Sequence, residues 1–179
     1  CFWRRLQLGR LEDTHRMGVT RTPHGDRKPY RNSIDDMGLI MESTPKDHVI
    51  ILGVDAQICL GALKAFDSQD TMGESVMGHR CWRGDCILKL LYAYRLHLPH
   101  TVVEGFDTKF TCIGNRHSEP TQIDYMATSA PRKYVSQAKI ADACATTSDH
   151  WPLSFALLPN VLTHRPKPMS NRAAPTPIG

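Results

Sequence analysis

The stretch that most constrains the fold runs from His48 to Val54 and stops at Asp55: His-Val-Ile-Ile-Leu-Gly-Val-Asp. Apolar residues follow one another there without helical spacing. That is the pattern of a strand buried on both faces of a sheet. Asp55 sits at its carboxyl end, where α/β sheets tend to place ligand sites. A helix cap or a turn is the other reading of that carboxylate.

The flanking segments alternate helix and strand. Tyr30 to Glu42 reads as a helix with Ile34, Met37 and Met41 on one face. Asn32 or Ser33 would cap it, Asp35 and Asp36 would fill its first turn, and Ser43-Thr44-Pro45 stops it. Leu60 to Gly78 is small and polar and reads as a long loop. Asp85 would cap a second helix reaching Leu96, with Ile87, Leu90, Leu91 and Tyr94 as its apolar stripe, and Pro99 ends the region. Thr101–Glu104, Lys109–Ile113, Gln122–Thr128 and Tyr134–Ile140 read as strands. In the third, Ile123, Tyr125 and Ala127 alternate with Gln122, Asp124 and Met126. Asp124 then faces away from the apolar side, and an acid in a half-buried strand needs a partner. A structural ion pair would satisfy it. The expected class is α/β.

Before Val19 the chain is irregular, with Leu6, Leu8 and Leu11 among basic residues, and reads either as an amphipathic strand or as a ragged start. Thr22-Pro23-His24-Gly25 is a turn. The divisions expected are an irregular segment over 1–18, a domain over 19–159, and a disordered proline-rich basic tail over 160–179. The chain opens on Cys1 rather than Met and reads as a fragment or an incomplete gene model.

With 179 residues there is enough chain for one sizeable core. No run approaches the ~18 apolar residues of a membrane span, so no membrane association is expected. Six cysteines, with only Cys81 and Cys86 close together, fit neither a disulfide scaffold nor a paired zinc motif. Reduced thiols in an intracellular protein, nuclear or cytoplasmic, are the expectation. The net charge is +4. Basic residues at Arg4-Arg5, Arg10, Arg16, Arg21, Arg27-Lys28, Arg80-Arg83 and Arg132-Lys133 form either a solvated surface or a face that tracks phosphates.

Chemistry concentrates at Ser148-Asp149-His150, before Trp151-Pro152 and an apolar run that reads as a buried strand. An acid beside an imidazole at a strand mouth can hold a hard cation and contact an oxyanion. It can equally be ordinary turn chemistry.

Taken in order, Val49 to Gln57, the Asp85 to Leu96 helix, Phe110-Thr111, Ile123-Asp124-Tyr125 and Ser148-Asp149-His150 resemble the endonuclease/exonuclease/phosphatase superfamily. The likeness is greatest to the apurinic-type endonuclease domains of non-LTR retrotransposons, across roughly Val19 to Leu158. The resemblance implies a partial two-sheet α/β sandwich lacking its N-terminal half. It implies metal-dependent hydrolysis of a phosphodiester, with DNA as partner and Mg2+ or Mn2+ as cofactor. Asp55 would orient or deprotonate water. Gln57 stands where the family has an Asn that binds the scissile phosphate. Asp149 would assist the metal, His150 would contact the phosphate, and Asp124 would hold the imidazole. Arg21-Thr22-Pro23-His24 stands where the family has Tyr-x-Pro-Asn, often ending in His instead; the Tyr is lost and His24 is a permitted variant. The family's metal-binding Glu finds no match, since Glu12 lies in no strand-like context.

A chain with Asp149 as its lone metal carboxylate is expected to be inactive or nearly so, unless Asp67 or Asp70 completes the site. The alternative is a catalytically inactive remnant that binds nucleic acid or serves as a structural module. A phosphatase acting on a lipid or small molecule shares the same motifs. Oligomeric state is not legible.

Overall fold

The computed structural model describes residues 2–7, 10–16, 27–65, 67–74, 76, 78–102, 110–113, 119–140 and 149–158, with backbone alone for 2–16 and 27–29. Within them the fold is mixed α/β, with two small antiparallel sheets and few helices. The first sheet has the order β2-β1-β3-β4. Its strands are β1 (Phe2–Gln7), β2 (Arg10–Arg16), β3 (Val49–Asp55) and β4 (Asp124–Thr128). The second sheet pairs β5 (Val135–Ile140) with β6 (Leu153–Leu157). The helices are α1 (Arg27–Ser43), α2 (Trp82–Ala93) and the short α3 (Pro99–Val102).

β3 is paired along both edges, with β1 on one side and β4 on the other. Ile50, Leu52 and Val54 are buried, whereas Val49, Ile51 and Gly53 are only half-buried. Burial on both faces was the expectation. The helices instead cover one face, so the strand alternates although its sequence does not. Met37, Ile40 and Met41 of α1 meet Ile50 and Leu52 across a small apolar gap. Ile87, Leu88, Leu90 and Leu91 of α2 join the same core. The Tyr94 hydroxyl donates to the Gly38 carbonyl at 2.9 Å, fastening the end of α2 to α1.

Several local expectations are corrected. The opening residues, read as irregular with an amphipathic strand as one alternative, form two strands, β1 and β2, of the main sheet, and Glu12, read as outside any strand, lies within β2. α1 begins at Arg27, so Asn32, Ser33, Asp35 and Asp36 are interior rather than cap and first turn. Pro29 lies in that first turn, where no intrahelical N–H bond is lost to it. Asp85 lies inside α2, whose N-cap is Cys81. It lies in the first turn, and its carboxylate faces Lys64 at 3.8 Å and Arg80 at 3.9 Å. Pro99 opens α3 rather than ending the region, because proline suits a first helical position. Thr101 and Val102 are therefore helical, not extended. Phe110 to Ile113 is no regular strand but forms isolated bridges at Cys112. β6, read as buried, is half-buried with Ser154 exposed, since it is one strand of a two-stranded ribbon.

The long loop after β3 is irregular, as its composition implies, but it is pinned. Arg80 donates to both carboxylate oxygens of Asp67 at 2.9 and 2.6 Å, to the Leu60 carbonyl at 2.6 Å and to the Ala62 carbonyl at 3.0 Å. Both side chains of that pair are 2% exposed. Gly61, with φ +70°, lets the backbone of Arg80 approach: a Cβ there would lie 2.6 Å from the Arg80 backbone nitrogen. The Arg80 hydrogen bonds hold the Asp67 carboxyl down to about 2, against a burial effect of opposite sign. Arg80 is thus withdrawn from any phosphate-tracking face, while Arg132 and Lys133 remain exposed. The tail over 160–179 lies outside the described residues. No described helix is long and apolar enough to cross a membrane.

Replacing Arg80 leaves Asp67 charged and unpaired in a dry setting. Arg80→Ala is expected to lower unfolding free energy by about 3–5 kcal/mol in urea denaturation. Arg80→Met combined with Asp67→Leu should recover most of the loss.

Two buried imidazoles set an acid limit. Burial pushes His97 and His100 down from 6.5 to about 4, with Arg132 adding to the effect at His97. Their folded values are depressed, so the native state excludes protons that the unfolded chain binds. Stability attributable to them is present above pH 6.5 and falls as pH drops toward 4, by on the order of 3 kcal/mol for each imidazole. A pH series of denaturant midpoints showing no decline in this window would contradict that account.

Candidate functional site

Asp55 closes β3 and Asp124 opens β4, and the register sets them directly opposite one another. The Ala56 N–H donates to the Ile123 carbonyl at 2.8 Å just beyond the pair. Asp55 and Asp124 therefore form a non-hydrogen-bonded pair, the kind whose side chains approach most closely. Two carboxylates so placed repel unless something compensates. On one side Gln57, at φ 52°, turns back so that its Nε2 donates to Asp55 Oδ1 at 2.7 Å. On the other, His150 Nδ1 lies 2.9 Å from Asp124 Oδ2. An ionised carboxylate only accepts, so the proton of that bond rides on Nδ1 and Nε2 is directed away from Asp124.

His150 is delivered from the entry to the second sheet. The Ile113 N–H donates to the Asp149 carbonyl at 3.0 Å, and the Trp151 N–H donates to the Thr111 carbonyl at 2.7 Å. These two bonds bracket a bridge between Cys112 and His150. The Trp151 ring packs edge-on against Phe110 at 5.5 Å. Thr111 is wholly buried, and its hydroxyl oxygen accepts from the N–H groups of Ile123 at 3.0 Å and Asp124 at 2.9 Å. One segment, 110–113, thus fixes both the imidazole and the carboxylate it pairs with.

Electrostatics follow from this enclosure. Partial burial alone pushes His150 down. The Asp124 hydrogen bond, then the charges of Asp124, Asp55 and Asp149, outweigh it and hold the imidazole above its ordinary value. Burial pushes the Asp124 carboxyl up, opposed by hydrogen bonds from His150 and Thr111. Both shifts run upward, so the pair as a unit keeps a proton to higher pH than its separate members. We place that proton on the imidazole, because three carboxylates face it. Asp149 Oδ1 lies 3.9 Å from His150 Nε2, on an exposed side chain.

Five of the sequence-derived residues, Asp55, Gln57, Asp124, Asp149 and His150, therefore meet at one end of the first sheet. His24 and Ser148 lie outside the described residues. Asp67 is engaged by Arg80, and Asp70 is exposed; neither belongs to a described cluster of metal-ligating groups. Potential ligand atoms of Asp55, Asp124 and His150 lie within 4.8 Å of one another, as do those of Cys112, Asp149 and His150. Sequence reasoning missed Cys112, whose one signal was its position beside Thr111. In the sequence Tyr125 reads only as an apolar strand position and a motif member, whereas its hydroxyl accepts from the Leu60 N–H at 2.9 Å and lies 2.7 Å from the Gln122 carbonyl.

No protein family, curated protein or solved structure was found to match the chain.

The pair predicts a titration. His150 should titrate above 6.5 by NMR, and Asp124→Asn should lower its value. Because the folded value of His150 is raised, the native state holds the imidazole proton more tightly than the unfolded chain, and stability from His150 is present below pH 6.5 and is lost as pH rises through its folded value. An unchanged His150 titration in Asp124→Asn would mean that the hydrogen bond has no electrostatic consequence.

Proposed function

We propose that this chain carries a divalent-metal-dependent phosphodiester-hydrolysing site of the endonuclease/exonuclease/phosphatase type, directed at nucleic acid and set in a partial two-sheet sandwich. One observation carries the reading: Asp55, Asp124 and His150, far apart in sequence, converge at the mouth of β3 with the imidazole bonded to Asp124 at 2.9 Å. In-line attack on a phosphodiester needs a base for water, a donor for the phosphoryl oxygens and a cation. Asp55, exposed at the strand end, is the base or the orienter of water. Protonated His150 presents Nε2–H to a phosphate oxygen, while Asp124 holds its tautomer. Gln57, bonded to Asp55, aligns that carboxylate and offers an amide to the phosphate.

A Mg2+ or Mn2+ ion would be held by Asp149, whose exposed carboxylate suits a cation that keeps most of its waters. When bound, the ion neutralises charge on the phosphate. The oxygen-donor shell is thin, because Asp67 is held by Arg80. That favours a slow enzyme and gives substance to the second reading, an inactive module that binds nucleic acid.

The experiment is cleavage of plain and abasic-site duplex oligonucleotides with Mg2+ or Mn2+. Expected is metal-dependent turnover well below about one per second, since a weakly held cation forfeits several kcal/mol of transition-state stabilisation. His150→Ala should lower it by about a hundredfold or more. Binding that weakens steeply with salt, without cleavage by the folded chain, would displace this reading in favour of the inactive module. Neither cleavage nor binding at low salt would overturn both.

A further inference from the structure

The second cluster at this site has a different chemistry. Cys112, Asp149 and His150 offer a sulfur, an oxygen and a nitrogen within 4.8 Å of one another. Two of the three are set by backbone geometry. The bonds from Ile113 N–H to Asp149 and from Trp151 N–H to Thr111 make Cys112 and His150 a non-hydrogen-bonded antiparallel pair. In such a pair the side chains share one face and stand at their closest. Cys112 is held from its other edge as well. Its N–H donates to the Thr121 carbonyl at 3.0 Å and its carbonyl accepts from the Thr121 N–H at 2.8 Å. The thiol is buried and forms no disulfide. The third donor, Asp149, is exposed, so its carboxylate can swing to complete a shell.

His150 carries the support that metal-bound imidazoles usually have. Its Nδ1 is bonded to Asp124, which leaves Nε2 as the ring nitrogen directed toward Asp149. A carboxylate behind the imidazole fixes its orientation and raises its basicity as a ligand. Ligand bonds of about 2.0–2.3 Å to nitrogen, oxygen and sulfur require the donors to close in by roughly an ångström. Asp149, exposed and 3.9 Å from His150 Nε2, is the donor with room to move.

We propose that Cys112, Asp149 and His150 form a binding site for a thiophilic divalent cation of the zinc class, with a fourth position open to water. The thiolate decides the class. Sulfur ligands select zinc-like ions over magnesium, whereas an all-oxygen shell would select the reverse. Asp124 acts as a positioning residue behind His150. The site does not rest on the phosphodiester reading, in which Cys112 has no part. It shares Asp149 and His150 with that reading, so occupancy by zinc would compete with magnesium-supported chemistry.

Cobalt is the probe, because it reports thiolate ligation directly. The reduced full chain, stripped with chelator, is titrated with Co2+. One equivalent should bind with a near-ultraviolet thiolate-to-cobalt band and visible bands of tetrahedral intensity, and zinc should displace it. Cys112→Ser should abolish the near-ultraviolet band, and Cys81→Ser should leave it intact. His150→Ala, at a half-exposed position, should weaken binding about tenfold or more, and Asp124→Asn by about ten- to a hundredfold. Circular dichroism checks that each variant is folded. A band that survives Cys112→Ser, or no band from the folded wild-type chain, overturns the proposal. Metal binding and oligonucleotide cleavage are separate readouts, so either proposal can fail while the other stands.

Discussion

The register between β3 and β4 is the constraint on which the rest depends. It is pinned at the end away from the site. The Ile50 N–H donates to the Ser129 hydroxyl at 2.9 Å, and the Thr128 hydroxyl donates to the Ile50 carbonyl at 3.0 Å. With that end fixed, Leu52 and Val54 fall on the helix side together with Ala127 and Tyr125. Asp55 and Asp124 are thrown to the other face. A slip of one residue would turn the carboxylates into the core and the leucine out of it. Core and site are thus one decision, made by backbone pairing and enforced by hydrophobic burial.

Buried polar groups then place the loops that the sheet does not. Tyr125 reaches through the core to hold Leu60 and Gln122, Thr111 gathers the start of β4, and Arg80 with Asp67 closes the long loop. Each is a fully satisfied contact in a dry setting, where an unpaired partner would be costly. Such groups add little net stability compared with apolar packing. They do select one arrangement among many of similar hydrophobic content. That selection brings segments separated by many residues to the mouth of β3.

The site joins two donor sets through one imidazole. Carboxylates on the sheet side favour a protonated His150 and are the donors that the proposed hard-ion chemistry would use. Cys112 on the loop side supplies the soft donor among the described residues. The Asp124 hydrogen bond serves both, since it orients the ring whether Nε2 meets a phosphate oxygen or a metal. Both proposals share the Asp149 carboxylate, the exposed member of the set.

The sequence by itself determined the strand ending in Asp55, the α1 face of Ile34, Met37 and Met41, the α2 stripe, and the alternation of Tyr125 and Ala127. Each is written in local periodicity, which needs no knowledge of the neighbour. The order of Asp55, Asp124 and His150 along the chain carried the site as a set of candidates. Only the tertiary structure decided that β3 is covered on one face, because a continuous apolar run does not say how many layers meet it. It also decided that Phe2 to Arg16 supplies two strands, that Arg80 turns inward to Asp67, and that Cys112 stands beside His150. Those outcomes depend on cross-strand pairing and on where a charge finds its partner, and both are set by residues distant in sequence.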